Sequence, residues 1–217
     1  VAARTGAPID PVTPLVRTTG SEIGLRTEMV PGLQSSLSLW QLSLRSELLF
    51  VGDAGETEAT RPSRRSGLEW TNHWRPLPWL LVDADLAFSR ARFSDADPAG
   101  DRVPGAIGRV ASLGVAVTDI GRWSGQLQLR HFGPRPLIED DSQRSASTTL
   151  ATLRLGYRLT NDVRLALDVF NLFDRRASDI DYFYTSRLQG EPAGGVEDIH
   201  FHPVEPRRVR LTLTAAF

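Results

Sequence analysis

The sequence predicts an all-β protein, an antiparallel β-barrel that crosses a membrane with its strands, and three observations carry that expectation. The first is the closing stretch, Arg208 to Phe217. Val209, Leu211, Leu213, Ala215 and Phe217 fall on one side of an extended strand, and Arg208, Arg210, Thr212, Thr214 and Ala216 on the other, because strand side chains alternate. A soluble sandwich alternates too, but has no reason to end on an aromatic at the tip of its apolar face. Membrane barrels carry aromatic girdles where the apolar band meets the headgroups. The second observation is hydropathy. Hydrophobic residues make up 41% of the 217 and mean hydropathy is -0.21, so no run approaches the ~20 apolar residues of a membrane helix. Half-polar barrel strands keep the mean low. The third is the order of connections, which alternate short and long along the whole chain, as expected of a barrel with tight turns on one side of a bilayer and large loops on the other.

Residues 1 to 16, with Pro8, Pro11 and Pro14, read as a loop. A first strand spans Glu22 to Met29, with Ile23, Leu25, Thr27 and Met29 on one face, and Val30-Pro31-Gly32 turns tightly out of it. A second strand spans Leu33 to Val51, and its oily positions change parity near Trp40 and Gln41, which predicts a bulge. Gly52 to Arg65 reads as a long polar loop. A third strand, with Leu68, Trp70 and Trp74, stops at the prolines of Arg75-Pro76-Leu77-Pro78. A fourth sets Leu80, Val82, Ala84, Leu86 and Phe88 against Asp83, Asp85 and Ser89. After the loop from Ser94 to Gly105 come a fifth strand (Ala111 to Val117), a short turn (Thr118 to Arg122) and a sixth strand around Leu127 and Leu129. Gly133 to Ala146 is long and polar again. A seventh strand (Leu153 to Leu159) turns through Thr160-Asn161-Asp162 into an eighth (Val163 to Val169). Asp174 to Pro206 reads as the longest irregular stretch, before the final strand. This makes about nine strands, an odd number that cannot close alone when single-chain bacterial barrels are even. The first strand's partner is therefore expected upstream of Val1.

Composition excludes several classes. No cysteine is present, so disulfide staples and thiolate metal sites are excluded. The net charge of -1 gives no reason to expect nucleic acid. All 25 basic residues are arginine, which reads as genome composition rather than function. The amino terminus has no charged segment followed by an apolar one. A barrel bound for an outer membrane must be exported, so either a signal has been removed or the chain begins partway through a larger protein.

The segment from Tyr157 to Asp174, ending Asn171-Leu172-Phe173-Asp174, resembles the penultimate hairpin of TonB-dependent outer-membrane receptors, and Pro206 to Phe217 resembles their last strand. Weaker echoes in the same order are Gly20 to Arg26, Arg65 to Glu69 and Leu129 to Pro136. The resemblance implies a roughly 22-stranded barrel plugged by an amino-terminal domain, of which residues 17 to 217 look like the carboxy-terminal portion, without the plug and the early strands. It further implies TonB-energised import of a scarce large solute, such as siderophore-bound iron or cobalamin, across the outer membrane of a Gram-negative bacterium. The implied partners are membrane lipid, the plug, the preceding strands, TonB through the plug, and the assembly machinery that reads Phe217. No cofactor and no catalysis are implied.

Candidate site residues follow from the inward faces: Asp83 and Asp85 on the fourth strand, then Arg154, Arg158, Arg164, Asp168, Arg208 and Arg210 on the last three. They are expected to line a polar lumen or bind the plug through charge-assisted hydrogen bonds, ahead of contacting solute. His200 and His202, near Glu197 and Asp198, have the spacing of a weak metal site but read more simply as a solvated loop. Glu139, Asp140 and Asp141 read as a solvated charge run, with a cationic ligand as the alternative. Trp70, Trp74, Trp79 and Trp123 are expected in an interfacial girdle at the short turns. Two rival readings remain, a soluble sandwich binding module and a small outer-membrane barrel protease built on Asp83, Asp85 and His131. The acids lie beside a short turn, whereas such proteases need them at the outer rim. No nucleophile motif appears, and Gly190 to Gly195 has the wrong spacing for a dinucleotide loop.

Overall fold

The computed structural model describes residues 15–51 and 56–216, so the predicted opening loop up to residue 14, residues 52–55 and the predicted assembly signal Phe217 lie outside the described residues. Thirteen strands follow in chain order: β1 (Thr18–Thr27), β2 (Leu33–Leu44), β3 (Leu48–Val51), β4 (Glu56–Ala59), β5 (Ser63–Leu77), β6 (Leu80–Phe93), β7 (Arg109–Ile120), β8 (Trp123–Phe132), β9 (Thr148–Arg158), β10 (Val163–Phe170), β11 (Ser178–Ser186), β12 (Val196–Pro203) and β13 (Arg208–Ala215). Nine of them form one antiparallel sheet in the order β1-β2-β5-β6-β7-β8-β9-β10-β13. This matches the expected strand count. The other four make two hairpins inside long connections, β3-β4 and β11-β12.

The register sorts the side chains onto two faces. On one, Ile23 and Leu25 pair with Leu39 and Leu37, Trp70 pairs with Leu86, Leu113 with Leu129, and Leu165 and Leu167 with Leu213 and Leu211. These side chains are exposed: Ile23 is 73% accessible and Leu211 66%. Among the described residues the buried hydrophobic side chains are only Phe93, Val103, Leu137 and Ala151. A sandwich of this length would bury two inner faces against each other. This sheet has an apolar face with no second layer over it. Polar groups on that face are satisfied locally, as a membrane requires: Trp70 Nε1 donates to Ser35 Oγ (3.0 Å), Ser35 Oγ to Asn72 Oδ1 (2.8 Å), and Asn72 Nδ2 to the Ala84 carbonyl (3.0 Å).

The structure corrects several boundaries. The predicted bulge is absent, because β2 pairs without a break on both sides. The parity change arises because Trp40, Leu42 and Leu44 stand on the polar face, Trp40 over Gly67 and Leu42 over Gly20, where an added Cβ would lie 2.5 Å from each side chain. An aromatic thus covers a glycine across the strand pair. The predicted second strand is two elements, with Leu48 to Val51 forming β3 instead of continuing β2. The third strand does not stop at its prolines but runs to Leu77 through an irregularity after Trp74. The fifth reaches Ile120 through a similar one after Val117. The stretch from Asp174 to Pro206 is mostly the β11-β12 hairpin. Trp74, Trp79, Trp123 and Tyr157 gather at the short-turn end, with Trp123 and Tyr157 rings 4.6 Å apart. Trp70 stands at the middle of β5 and belongs to no rim.

Candidate functional site

The opposite, polar face collects all eight residues singled out above. Successive residues along a strand alternate faces and direct cross-strand partners share one, so each stands on the face away from the apolar band. Asp168 on β10 lies between Arg154 on β9 and Arg210 on β13, its direct register partners. Its carboxylate accepts from Arg154 Nε at 2.8 Å and from Arg210 Nη2 at 3.1 Å. Asp168 is 4% exposed, while both arginines keep more than half of their side chains in solvent. A buried acid flanked by two wet cations is held without either cation being desolvated. Arg208 and Arg210 also lie over the Phe170 ring, each 5.2 Å from its centre. Arg158 faces Arg164 across the strand pair and donates to the Gly121 carbonyl at 3.0 Å.

The acids Asp83 and Asp85 occupy a different sector. Asp83 stands opposite His73, and the two are 2.5 Å apart. This pairing was not anticipated from sequence, although His73 falls at the matching parity of the preceding strand. His131 pairs with Ala111 and Thr149 on the apolar face, so the trio a barrel protease would need is divided between the two faces. Between the sectors, β7 presents Val110, Ser112, Gly114 and Ala116, which carry no charge. The polar face therefore has a mixed part, where Arg26 shares the space of Asp83 and Asp85, and a predominantly basic part around Arg154, Arg158, Arg164, Arg208 and Arg210, separated by one neutral strand.

The second assembly is at the long-connection end. The sequence turns abruptly after β10 because Asn171 and Asp174 adopt positive φ (47° and 51°), a region that asparagine and aspartate tolerate best among residues with a Cβ. Asn171 is 6% exposed. Its amide donates to the Arg175 and Glu205 carbonyls, both at 3.0 Å, and accepts from the Arg175 N–H at 2.9 Å. The Asp174 carboxylate accepts from the Arg207 N–H at 2.8 Å. The Asn-Leu-Phe-Asp motif thus ties the outgoing end of the longest connection to its return. Beyond that neck, β11-β12 is fastened to the connection between β8 and β9 by Arg135, which donates to Asp181 at 2.8 Å and to the Asp179 carbonyl at 2.9 Å. Gly100 (φ 118°) lets the connection between β6 and β7 press against the same segment, since a Cβ there would meet the Glu139 backbone at 2.3 Å.

Together these connections wall a cleft of about 790 Å³ lined by Leu49, Glu58, Ile107, Leu137, Glu139 and Tyr184 among others. Beside it, Glu47 receives hydrogen bonds from Arg65 (2.8 Å) and Ser63. Burial works against its charge, but those bonds and the Arg65 charge outweigh it and hold the acid below its ordinary range. Of the predicted charge run, Asp141 pairs with Arg102 and Arg144. Asp140 accepts from the Ser142 N–H, which lowers its pKa. His200 stacks on Tyr184 with ring centres 3.9 Å apart. No cluster of three metal-ligating side chains forms around it or His202 among the described residues.

A family model described as TonB dependent receptor-like, β-barrel, matches residues 10–172. No curated protein sequence matches the chain. Among solved structures, the chain is similar to the ferric yersiniabactin uptake receptor FyuA from Yersinia pestis (TM-score 0.71, 20% identity), covering 92% of this chain and 30% of that one. It is also similar to the ferric-catecholate import receptor Fiu from E. coli K12 (TM-score 0.67, 20% identity; 90% and 27%) and to the copper transporter OprC (TM-score 0.66, 24% identity; 92% and 31%). The chain spans less than a third of the length of each.

Proposed function

The chain belongs to the TonB-dependent receptor β-barrel family, whose members are transporters and receptors of the Gram-negative outer membrane, and from that premise we propose that it forms the last nine or so strands of the wall of such a receptor. Its apolar face meets lipid, its polar face lines the lumen, and its long connections stand outside the cell. Asp83, Asp85, Arg154, Arg158, Arg164, Asp168, Arg208 and Arg210 then face a plug domain carried elsewhere in the receptor. TonB acts through that plug to drive uptake of a scarce, large solute, such as siderophore-bound iron or cobalamin. The observation that supports this most is the exposed apolar face: a continuous band of leucine, valine and isoleucine that water would not tolerate at this extent. A sheet with lipid on one side and a wet lumen on the other accounts for both faces.

The chain has no cysteine, so single cysteines report topology cleanly. On intact cells, Ala193→Cys in the β11-β12 tip is expected to react with a membrane-impermeant maleimide, and Asp162→Cys in the turn between β9 and β10 to react only after the outer membrane is opened. Equal labelling of both without permeabilisation would remove the reading.

A further inference from the structure

The cleft at the long-connection end has a charge character of its own. Two arginines line it, but Arg65 is bound by Glu47 and Arg135 by Asp181, each at 2.8 Å, so both cations are neutralised within the protein. Among the described residues the remaining charged groups on its walls are Glu58 and Glu139. Neither carboxylate makes a side-chain hydrogen bond or ion pair with the described residues. Arg61, the cation whose charge Glu139 feels, is committed to Asp95 at 2.9 Å. Most of the rest of the described lining is apolar or aromatic, with Ile107, Leu137, Phe183 and Tyr184 among it. Its volume is that of a site for a drug-sized molecule.

An anionic ligand entering this space would meet two carboxylates without an ion-pair partner and, among the described residues, no guanidinium free of a carboxylate. A cation would be drawn by both carboxylates. Resting on the reading of this end as solute-facing, we propose that the cleft takes a cationic solute with an aromatic or aliphatic body, and disfavours polyanionic metal chelates.

The test uses the intact protein in lipid nanodiscs and fluorescence anisotropy with two dyes of related ring system, cationic rhodamine 6G and anionic sulforhodamine B, with binding to empty nanodiscs subtracted. Rhodamine 6G is expected to bind about fivefold tighter or better, the scale of two partly exposed charges. In the double variant Glu58→Gln/Glu139→Gln the preference should vanish. Neither carboxylate makes a hydrogen bond or ion pair among the described residues, so the variant is expected to keep the wild-type circular dichroism spectrum. Equal or tighter binding of the anionic dye, no binding of rhodamine 6G, or a preference that survives the double substitution would each overturn the proposal. The cysteine labelling described above is indifferent to these outcomes, so failure here leaves the import reading standing. Lost labelling polarity with intact dye selectivity would do the reverse.

Discussion

At one end of the sheet, Pro78–Trp79 and Gly121–Arg122 close two hairpins with almost no chain, and the turn after β1 needs little more than a backbone bond from Leu33 N–H to the Val30 carbonyl at 3.0 Å. At the other end, connections carry whole hairpins and a dense set of side-chain contacts. Seven of the ten ion pairs among the described residues involve those long connections. The difference follows from backbone accounting. A tight turn leaves few N–H and C=O groups without partners, whereas a long excursion leaves many and needs side chains to organise it. The short-turn end is thus specified by local turn chemistry, and the long end by distant pairs such as Arg135 with Asp181.

That contrast makes the two ends separable. The largest expected effect is from Asn171→Ala, which removes three hydrogen bonds at a buried position and strains a positive φ, about 3 kcal/mol in all. It should speed proteolysis between residues 175 and 205 while leaving the melting of the sheet unchanged. A matching fall in the melting temperature would show that neck and sheet are one cooperative unit. Next is Asp168→Ala, which takes the acid from between two arginines and should cost about 2 kcal/mol, read as lowered sheet melting without faster loop cleavage. The smallest effect comes from pH. The folded pKa of Glu47 lies below its unfolded value, so its contribution is present above about pH 4.3 and is lost as pH falls through the folded value. Acidification below about pH 4 should loosen the connection between β2 and β5 by about 1 kcal/mol, as measured by hydrogen exchange. Glu47→Gln should remove that acid sensitivity.

The nine sheet strands were legible in the sequence because alternation over eight or more residues is a property of the strand itself. What escaped had no such local signature. Glu56-Thr57-Glu58-Ala59 lacks the apolar positions that mark a strand and forms β4 through its partner β3. Trp40 misled because its reason for sitting on the polar face, Gly67, is on another strand. The eight lumen candidates were found by parity, but parity could not say that Asp83 would pair with His73 or that Asp168 would be buried between Arg154 and Arg210. The Asn-Leu-Phe-Asp motif was visible as a pattern, while its contacts with Glu205 and Arg207 are long-range and appear only once the chain has folded back.

The closure made by Asn171 and Asp174 against Glu205 and Arg207 pins both ends of the longest connection, and Arg135 pins β11, which leaves the tip between residues 187 and 195 as its least constrained part. A foreign epitope grafted between residues 187 and 195 is therefore expected to leave the melting of the sheet unchanged, provided the four closing residues and Arg135 stay. Change of sequence at that tip can accumulate with little effect on the scaffold, because few contacts cross from it to the sheet.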